Sequence, residues 1–280
     1  GLKNPYLPEN INKAISRMDV KTLRVESWAE LMDALYLDSY NAFLHRYRSS
    51  YVYRGMEDAD DTLHTTLNRL GESHLEKHLL RNFIKYGQSE ADFGSIWNWM
   101  ALAQHHGLPT RFLDWTYSPL VALHFATANF MNYDKDGIIY ALNYVDAKTY
   151  LPIELAAIIE EEGSHIFTAE MLDRAVNNLP QLEALQEEPF ALFFEPPSIN
   201  PRIVNQYAIF SMMSDPSVVV SDWLPGRQVR AFRIIIPSKL KWEIRDKLDQ
   251  ANINERVLFP GLDGLARWLK RHYWDIRATS

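Results

Sequence analysis

The stretch Ser118–Ala126, SPLVALHFA, sets the strongest limit on what this chain can fold into. Wound as a helix, it is apolar on nearly every side, so no face of it suits water. Such a helix has to be covered all round, and the covering layers must come from the rest of the chain. Ser118 fits an N-cap and Pro119 a first-turn position, where a missing N–H costs nothing. Upstream, TRFLDWT reads as a strand. Before it, SIWNWMALAQHHG reads as a helix that Gly107 caps and Pro109 prevents from continuing.

The remaining pattern mixes strands and helices without a regular βα alternation. Leu23–Val25 is strand-like, and a helix follows with Ser27 as N-cap and Glu30 as its capping-box partner. SYVYRG is a short β run ending at Gly55, and DDTLHTTLNRL is a polar connection. From Ser73 to about Tyr86, Leu75, Leu79, Leu80 and Phe83 form a helical stripe. DGIIYALNY reads as a turn and a buried strand, residues 152–186 as helical and acidic, and EPPSINPR as a bend. RIVNQYAIFSM and RQVRAFRIIIP read as strands. A helix from about Ser238 to Ala251, then VLFPGLDGLARWLKRHY, closes the chain. No linker divides it. The expectation is one α+β domain over residues 1–280, with core segments 51–145 and 200–236, a helical insertion at 150–190 and C-terminal helices at 238–275.

Composition narrows the function classes. Of 280 residues, 47% are hydrophobic and 23% charged, which suits a packed core and argues against disorder. The net charge of −7 works against a broad grip on nucleic acid, although a local basic groove is compatible with it. The chain has no cysteine, which excludes disulfides, thiolate metal sites and cysteine nucleophiles. The opening GLKNPYLPEN has no apolar h-region, and no run approaches the ~18 apolar residues that span a bilayer. A soluble, cytoplasmic protein without a membrane partner is expected.

Three polar constellations carry the candidate chemistry. VYRG places Arg54 at a strand end, where its guanidinium can fork onto phosphate or carboxylate or form a surface ion pair. Gln104, His105 and His106 close a helix whose C-terminal partial charge favours a protonated histidine. Each histidine is open to two readings, a proton or phosphate contact and a hydrogen-bonded cap. Asp114, Trp115 and Thr116 then bring a carboxylate, an aromatic face and a hydroxyl to a strand end. Asp114 could equally be the partner of Arg111 or cap a turn. In RIVNQYAIF, taken as a strand, Arg202 and Gln206 share a face and could line a cleft, or Gln206 could bond only neighbouring backbone.

Other chemistries lack their patterns. His74 and His78 stand at i and i+4, but Leu75 occupies the position where a zincin carries glutamate. Asp58, Asp60 and Asp61 lack calcium-loop spacing. No Walker loop, dinucleotide glycine fingerprint or Gly-x-Ser-x-Gly elbow is present. No metal is expected.

Taken together, Tyr53-Arg54-Gly55, LAQHHGLPTRFLDWTYSPLVALHFA and RIVNQYAIF resemble the FRG-domain family, named for its aromatic-Arg-Gly motif. GIIYAL and LFPGLDGLA are similar to it as well. More distantly, VYRG, FLDWTYSPLVALHFA and the late RIVNQYAIF segment resemble the three spaced motifs of ADP-ribosyltransferases. That resemblance implies a split, mixed sheet with helical insertions, NAD as a substrate, and ADP-ribosyl transfer or NAD hydrolysis in a bacterial or phage toxin or defence effector. It implies that Arg54 holds pyrophosphate or ribose, with Tyr53, Arg111 and Arg202 completing the nucleotide contacts. Gly55 would let nicotinamide lie against backbone, Trp115 or Tyr117 would stack on a ring, and Thr116 and Ser118 would support the pocket floor. Gln206 would stand near the ribose 2′-hydroxyl, where the family carries a catalytic glutamate. Asp114 or Glu195 could supply the missing carboxylate, and His105 or His106 would handle a proton or phosphate. The acceptor would be a protein or nucleic acid. The alternatives are a non-catalytic module that recognises a nucleotide or nucleic acid, and a metal-dependent nuclease or phosphohydrolase using Asp114 and the histidines.

Overall fold

The computed structural model describes residues 20–90 and 93–274. β1 (Lys21–Arg24) leads to α1 (Trp28–Leu35), where the Ser27 hydroxyl accepts the Glu30 N–H as its sequence promised. β2 (Tyr40–Asn41) and β3 (Arg46–Tyr47) form a small hairpin, and β4 (Tyr51–Met56) follows. The expected polar connection contains a helix, α2 (Thr66–Leu70). Thr65 and Asn68 form a reciprocal capping box, with asparagine doing what Glu or Gln usually does. The stripe from Ser73 begins as a 3₁₀ turn and continues as α3 (Glu76–Gly87). Next come α4 (Ile96–His105), β5 (Phe112–Thr116), α5 (Pro119–Ala126) and β6 (Gly137–Asn143).

The acidic helical region resolves into α6 (Ile153–Glu162), α7 (Ala169–Asp173) and α8 (Leu179–Glu183). β7 (Ala191–Phe194) is buried on both faces, so its sequence has no alternation to announce it. RIVN is helical, as α9 (Pro201–Asn205), and the strand β8 starts only at Ala208 and runs to Met213. The physical reason is capping: Asn200 accepts the Arg202 N–H, and Pro201 fits the first turn. Arg202 and Gln206 still share a face, because they are four residues apart at a helix end. α10 (Val220–Trp223), β9 (Ala231–Ile236), α11 (Lys241–Gln250), α12 (Glu255–Leu258) and α13 (Leu262–His272) complete the order.

Seven strands make one mixed sheet in the order β1-β9-β6-β4-β5-β8-β7. β1 pairs parallel to β9, and the other neighbours are antiparallel. β4 meets β6 over six residue pairs and β5 meets β8 over five, yet β4 meets β5 at one, Tyr53 opposite Thr116. The sheet therefore opens between its two central strands. The architecture is α+β in a single domain.

Three apolar clusters hold the layers together. One runs along a single face of the sheet from β9 to β7 and includes Val52, Met56, Leu113, Trp115, Ile209 and Ile235. The opposite face is shared. Over β4, β6 and β9 lie α1, α5 and α11, with Leu31, Leu123 and Ile244 in the cluster. Over β5, β7 and β8 lie α4, α6 and α7, with Trp97, Ile159 and Leu172. α5 is thus covered as its composition demands.

Its approach to the sheet is set by one glycine. A Cβ on Gly55 would stand 1.8 Å from the Ala122 carbonyl oxygen and 3.0 Å from the Ala126 nitrogen. Gly55 therefore seats α5, and that face of it is closed to a ligand. We expect Gly55→Ala to destabilise the fold by about 3 kcal/mol, the upper end of overpacking penalties, read as a lowered urea midpoint.

His124, inside α5, accepts from the Arg245 guanidinium at Nδ1 over 2.7 Å. Burial first, and then the Arg245 charge, hold its pKa down to about 3. The unfolded chain takes up this proton near the ordinary 6.5. Between those values the unfolded state binds more protons, so this residue withdraws stability as pH falls through that window. We expect His124→Gln, which keeps an acceptor but cannot titrate, to show a shallower loss of urea midpoint over the same range.

Candidate functional site

Beyond Tyr53 and Thr116 the strands β4 and β5 part, and side chains fill the opening. Arg54 reaches across it, and its Nη1 donates to the Asp114 carbonyl over 2.9 Å. Its Nε is buried without a partner. Burial lowers the Arg54 pKa, partly offset by Asp114. A guanidinium so placed stays charged and holds unused donor capacity.

Asp114 faces the same opening from β5. Protein surrounds its carboxyl, but solvent reaches it through the cleft. Burial pushes its pKa up; Arg54, a Gln104 hydrogen bond, Arg202 and His105 pull against that. Gln104 Nε2 donates to Oδ2 over 3.3 Å, and the Thr110 hydroxyl donates to Gln104 Oε1 over 2.7 Å, which fixes the amide's direction.

Arg202 enters from α9, where its guanidinium lies 4.9 Å from the centre of the Phe259 ring. Gln206 joins three elements. Its backbone carbonyl accepts from Thr116 Oγ1 over 2.7 Å, and its Nε2 donates to the Leu258 carbonyl over 2.9 Å. These residues line one cleft of about 390 Å³, together with Gly55, Arg69, Glu57, Asp61 and Phe125. Three guanidiniums and three carboxyls therefore share the cleft, and of the guanidiniums Arg54 and Arg202 act on Asp114, whose pKa burial raises.

The structure brings together Arg54, Asp114, Thr116, Arg202 and Gln206. Tyr53 and Trp115 reach the wall with their side chains committed elsewhere. The Tyr53 ring is in the core with its hydroxyl on Ser49, and Trp115 Nε1 donates to Ser211 Oγ. The aromatic ring available to a ligand is that of Phe125. Tyr117 packs against Tyr144 and Tyr207. Ser118 caps α5 through the Val121 N–H.

His105 lies close enough to Arg202 and Asp114 to feel both charges, while His106 is exposed with its ring 5.1 Å away. The expected protonated histidine is corrected at His105. Burial, then Arg202 and His106, lower its pKa and outweigh the helix's C-terminal partial charge.

Arg111 is not brought to the cleft. It is buried, donating from its backbone N–H and Nε to Glu76 over 2.6 and 2.7 Å, from Nη1 to the Ser214 carbonyl, and from Nη2 to Glu183. Asp114 is accordingly not its partner. The signal lay in Glu76, a charged residue on the inner side of α3, whose burial requires a cation.

Arg69, Glu57, Asp61 and Phe125 were absent from the sequence-derived set. Arg69 comes with α2, and only its capping box could have revealed that. Asp58 pairs with Lys135, which leaves Asp61 to the cleft. Among the described residues no group of three or more His, Asp or Glu is placed to hold a metal ion. No described helix is long and apolar enough to cross a membrane.

Residues 49–135 match the FRG domain. The matched segment carries Arg54, Arg69, the tandem histidines and Asp114, while Arg202 and Gln206 lie beyond it. Comparison with curated proteins and with solved structures finds no match.

The two arginine environments differ in what they hold together. We expect Arg111→Leu to cost about 3–5 kcal/mol by stranding a buried carboxylate. Arg69→Ala, at an exposed position in the cleft wall, should leave the urea midpoint unchanged.

Proposed function

We propose that the cleft binds NAD and breaks the bond between ribose C1′ and the nicotinamide nitrogen, passing ADP-ribose to water or to an acceptor protein or nucleic acid. The observation that carries this reading is that Arg54, Arg69 and Arg202 line one cleft with Asp114 where the sheet opens, with Arg54 and Arg202 near enough to act on its carboxyl. Guanidiniums with free donors suit the two phosphates of a dinucleotide. A carboxylate among them suits the positive charge that develops at C1′ as the bond breaks.

Each step has a residue to perform it. Arg54, Arg69 and Arg202 hold pyrophosphate, and Phe125 lies against a ring. Asp114, ionised, stabilises the oxocarbenium-like ribose while neutral nicotinamide leaves with the bonding electron pair. The oxygen of water or the acceptor attacks C1′ and loses its proton to His105, which its lowered pKa leaves unprotonated and so open to accept. Asp114 takes the part that a glutamate would play in an ADP-ribosyltransferase. Gln206 carries no charge and spends its Nε2 on Leu258, so its contribution is its Oε1 toward a ribose hydroxyl. Consumption of NAD is an activity that suits a toxin or antiphage effector.

That same amide favours a second reading, a module that binds a nucleotide without turning it over. The two readings part on one experiment, incubation with NAD followed by chromatography for free nicotinamide. We expect release by the wild type, loss with Arg54→Ala, and a fall of about 100-fold or more in kcat with Asp114→Asn, which keeps ADP-ribose binding. Because burial raises the Asp114 pKa and the reaction needs the carboxylate, turnover should rise with pH along a limb above the ordinary 3.8. Saturable NAD binding with no nicotinamide released, at any pH, establishes the second reading.

A further inference from the structure

The hairpin of β2 and β3 lies outside the segment that matches the FRG domain, and the cleft does not use it. Its tip is apolar and turned to solvent: Phe43 is 91% exposed, Leu44 50% and Tyr47 61%. Burial normally claims such residues, and a cluster of them on a soluble surface marks a contact site.

The tip is held rather than loose. Asn41 Oδ1 accepts the N–H groups of both Phe43 and Leu44 over 3.0 Å. His45 closes the turn with φ of 50°. The Arg48 N–H donates to the Ser39 carbonyl over 2.8 Å, and Tyr40 and Tyr47 meet edge to face at 5.3 Å. The backbone thus spends its hydrogen bonds on presenting Phe43 outward.

Charge identifies the partner. Residues 39–50, SYNAFLHRYRSS, contain no acid but carry His45, Arg46 and Arg48, all exposed, in a chain of net charge −7. The neighbouring acid, Asp38, is engaged by the Tyr51 hydroxyl and Arg230. From tip to stem the order is apolar, then tyrosine and arginine. That order matches the layering of a lipid surface, with acyl chains deepest, aromatic rings at the headgroups and cations against lipid phosphate. A convex tip with a cationic band around it fits a fluid anionic surface better than a preformed protein groove.

We propose that the Tyr40–Arg48 hairpin docks this protein on anionic lipid surfaces, with Phe43 and Leu44 inserted at the headgroup boundary. This is surface contact, so the absence of a spanning helix among the described residues does not bear on it. It is also independent of what the cleft binds.

The test is flotation of the full chain with vesicles of phosphatidylcholine alone or mixed with phosphatidylglycerol. Binding is expected to the mixed vesicles and to weaken with salt. Phe43→Asp with Leu44→Asp should reduce it about tenfold or more, and Arg46→Ala with Arg48→Ala should remove the preference for phosphatidylglycerol. Unchanged melting midpoints and far-UV circular dichroism check that the variants fold. If the acidic pair misfolds, Phe43→Trp gives a second readout, a blue shift of its emission on adding mixed vesicles. The proposal falls if the wild type floats with neither vesicle, or if it floats equally with both. It falls also if Phe43→Asp abolishes a concentration-dependent self-association and leaves flotation unchanged, which would make a second copy of the chain the occupant.

Discussion

There is no room for a methyl group between Gly55 and the Ala122 carbonyl, and much of the molecule follows from that contact. It lets α5 lie directly on β4 at the place where β4 leaves β5. Phe125, in the last turn of α5, is thereby carried to the edge of the opening, and Arg54, next to the glycine, extends across it. A bulkier residue at 55 would lift the helix from the strand and misplace both. The aromatic-Arg-Gly motif joins a packing requirement to a chemical group in adjacent positions, so neither half can be read alone.

The chain treats its buried charges in two ways. Arg111 and Arg271 are each bound by two carboxylates, Glu76 with Glu183 and Asp249 with Glu255, and tie helices into the fold. Arg54 is given a backbone carbonyl and left with an orphan Nε. Satisfied networks rigidify, whereas unsatisfied ones carry a standing cost that a ligand can relieve. Arg245 and His124 also leave a buried nitrogen unpartnered, but they are closed off in the core, whereas the orphan Nε of Arg54 belongs to a residue lining an open cleft. The lowered His105 pKa and the raised Asp114 pKa occur side by side there, since shared burial drives both.

Much of the fold was legible because it rests on local signals. Ser27, Ser118 and Gly107 mark helix ends by capping chemistry, and β6 and β9 declare themselves by apolar runs. What escaped depends on context. Thr65 caps α2 and Asn200 caps α9, but threonine and an Asn-Pro pair suit loops as well, so from sequence α2 reads as a connection and α9 as a strand. β7, covered on both faces, has no period to detect. Arg54, Asp114, Arg202 and Gln206 were named from motifs and do line one cleft. Arg111, from the same motif, belongs to the core, because strand alternation and the burial of Glu76 decide its side. Arg69 and Phe125 could not be placed without knowing where α2 and α5 pack.

The bonds around Gln206 have a consequence for the order in which the protein comes into being. Thr116 holds the Gln206 carbonyl, and Leu258 holds its amide, so the far wall of the cleft is fastened in part by a residue that follows every strand of the sheet. A polypeptide still emerging from the ribosome possesses Arg54 and Asp114 long before it possesses that wall. Until the segment around Leu258 has been made and folded back, the matched region is half a site, and whatever the cleft does must wait for that segment.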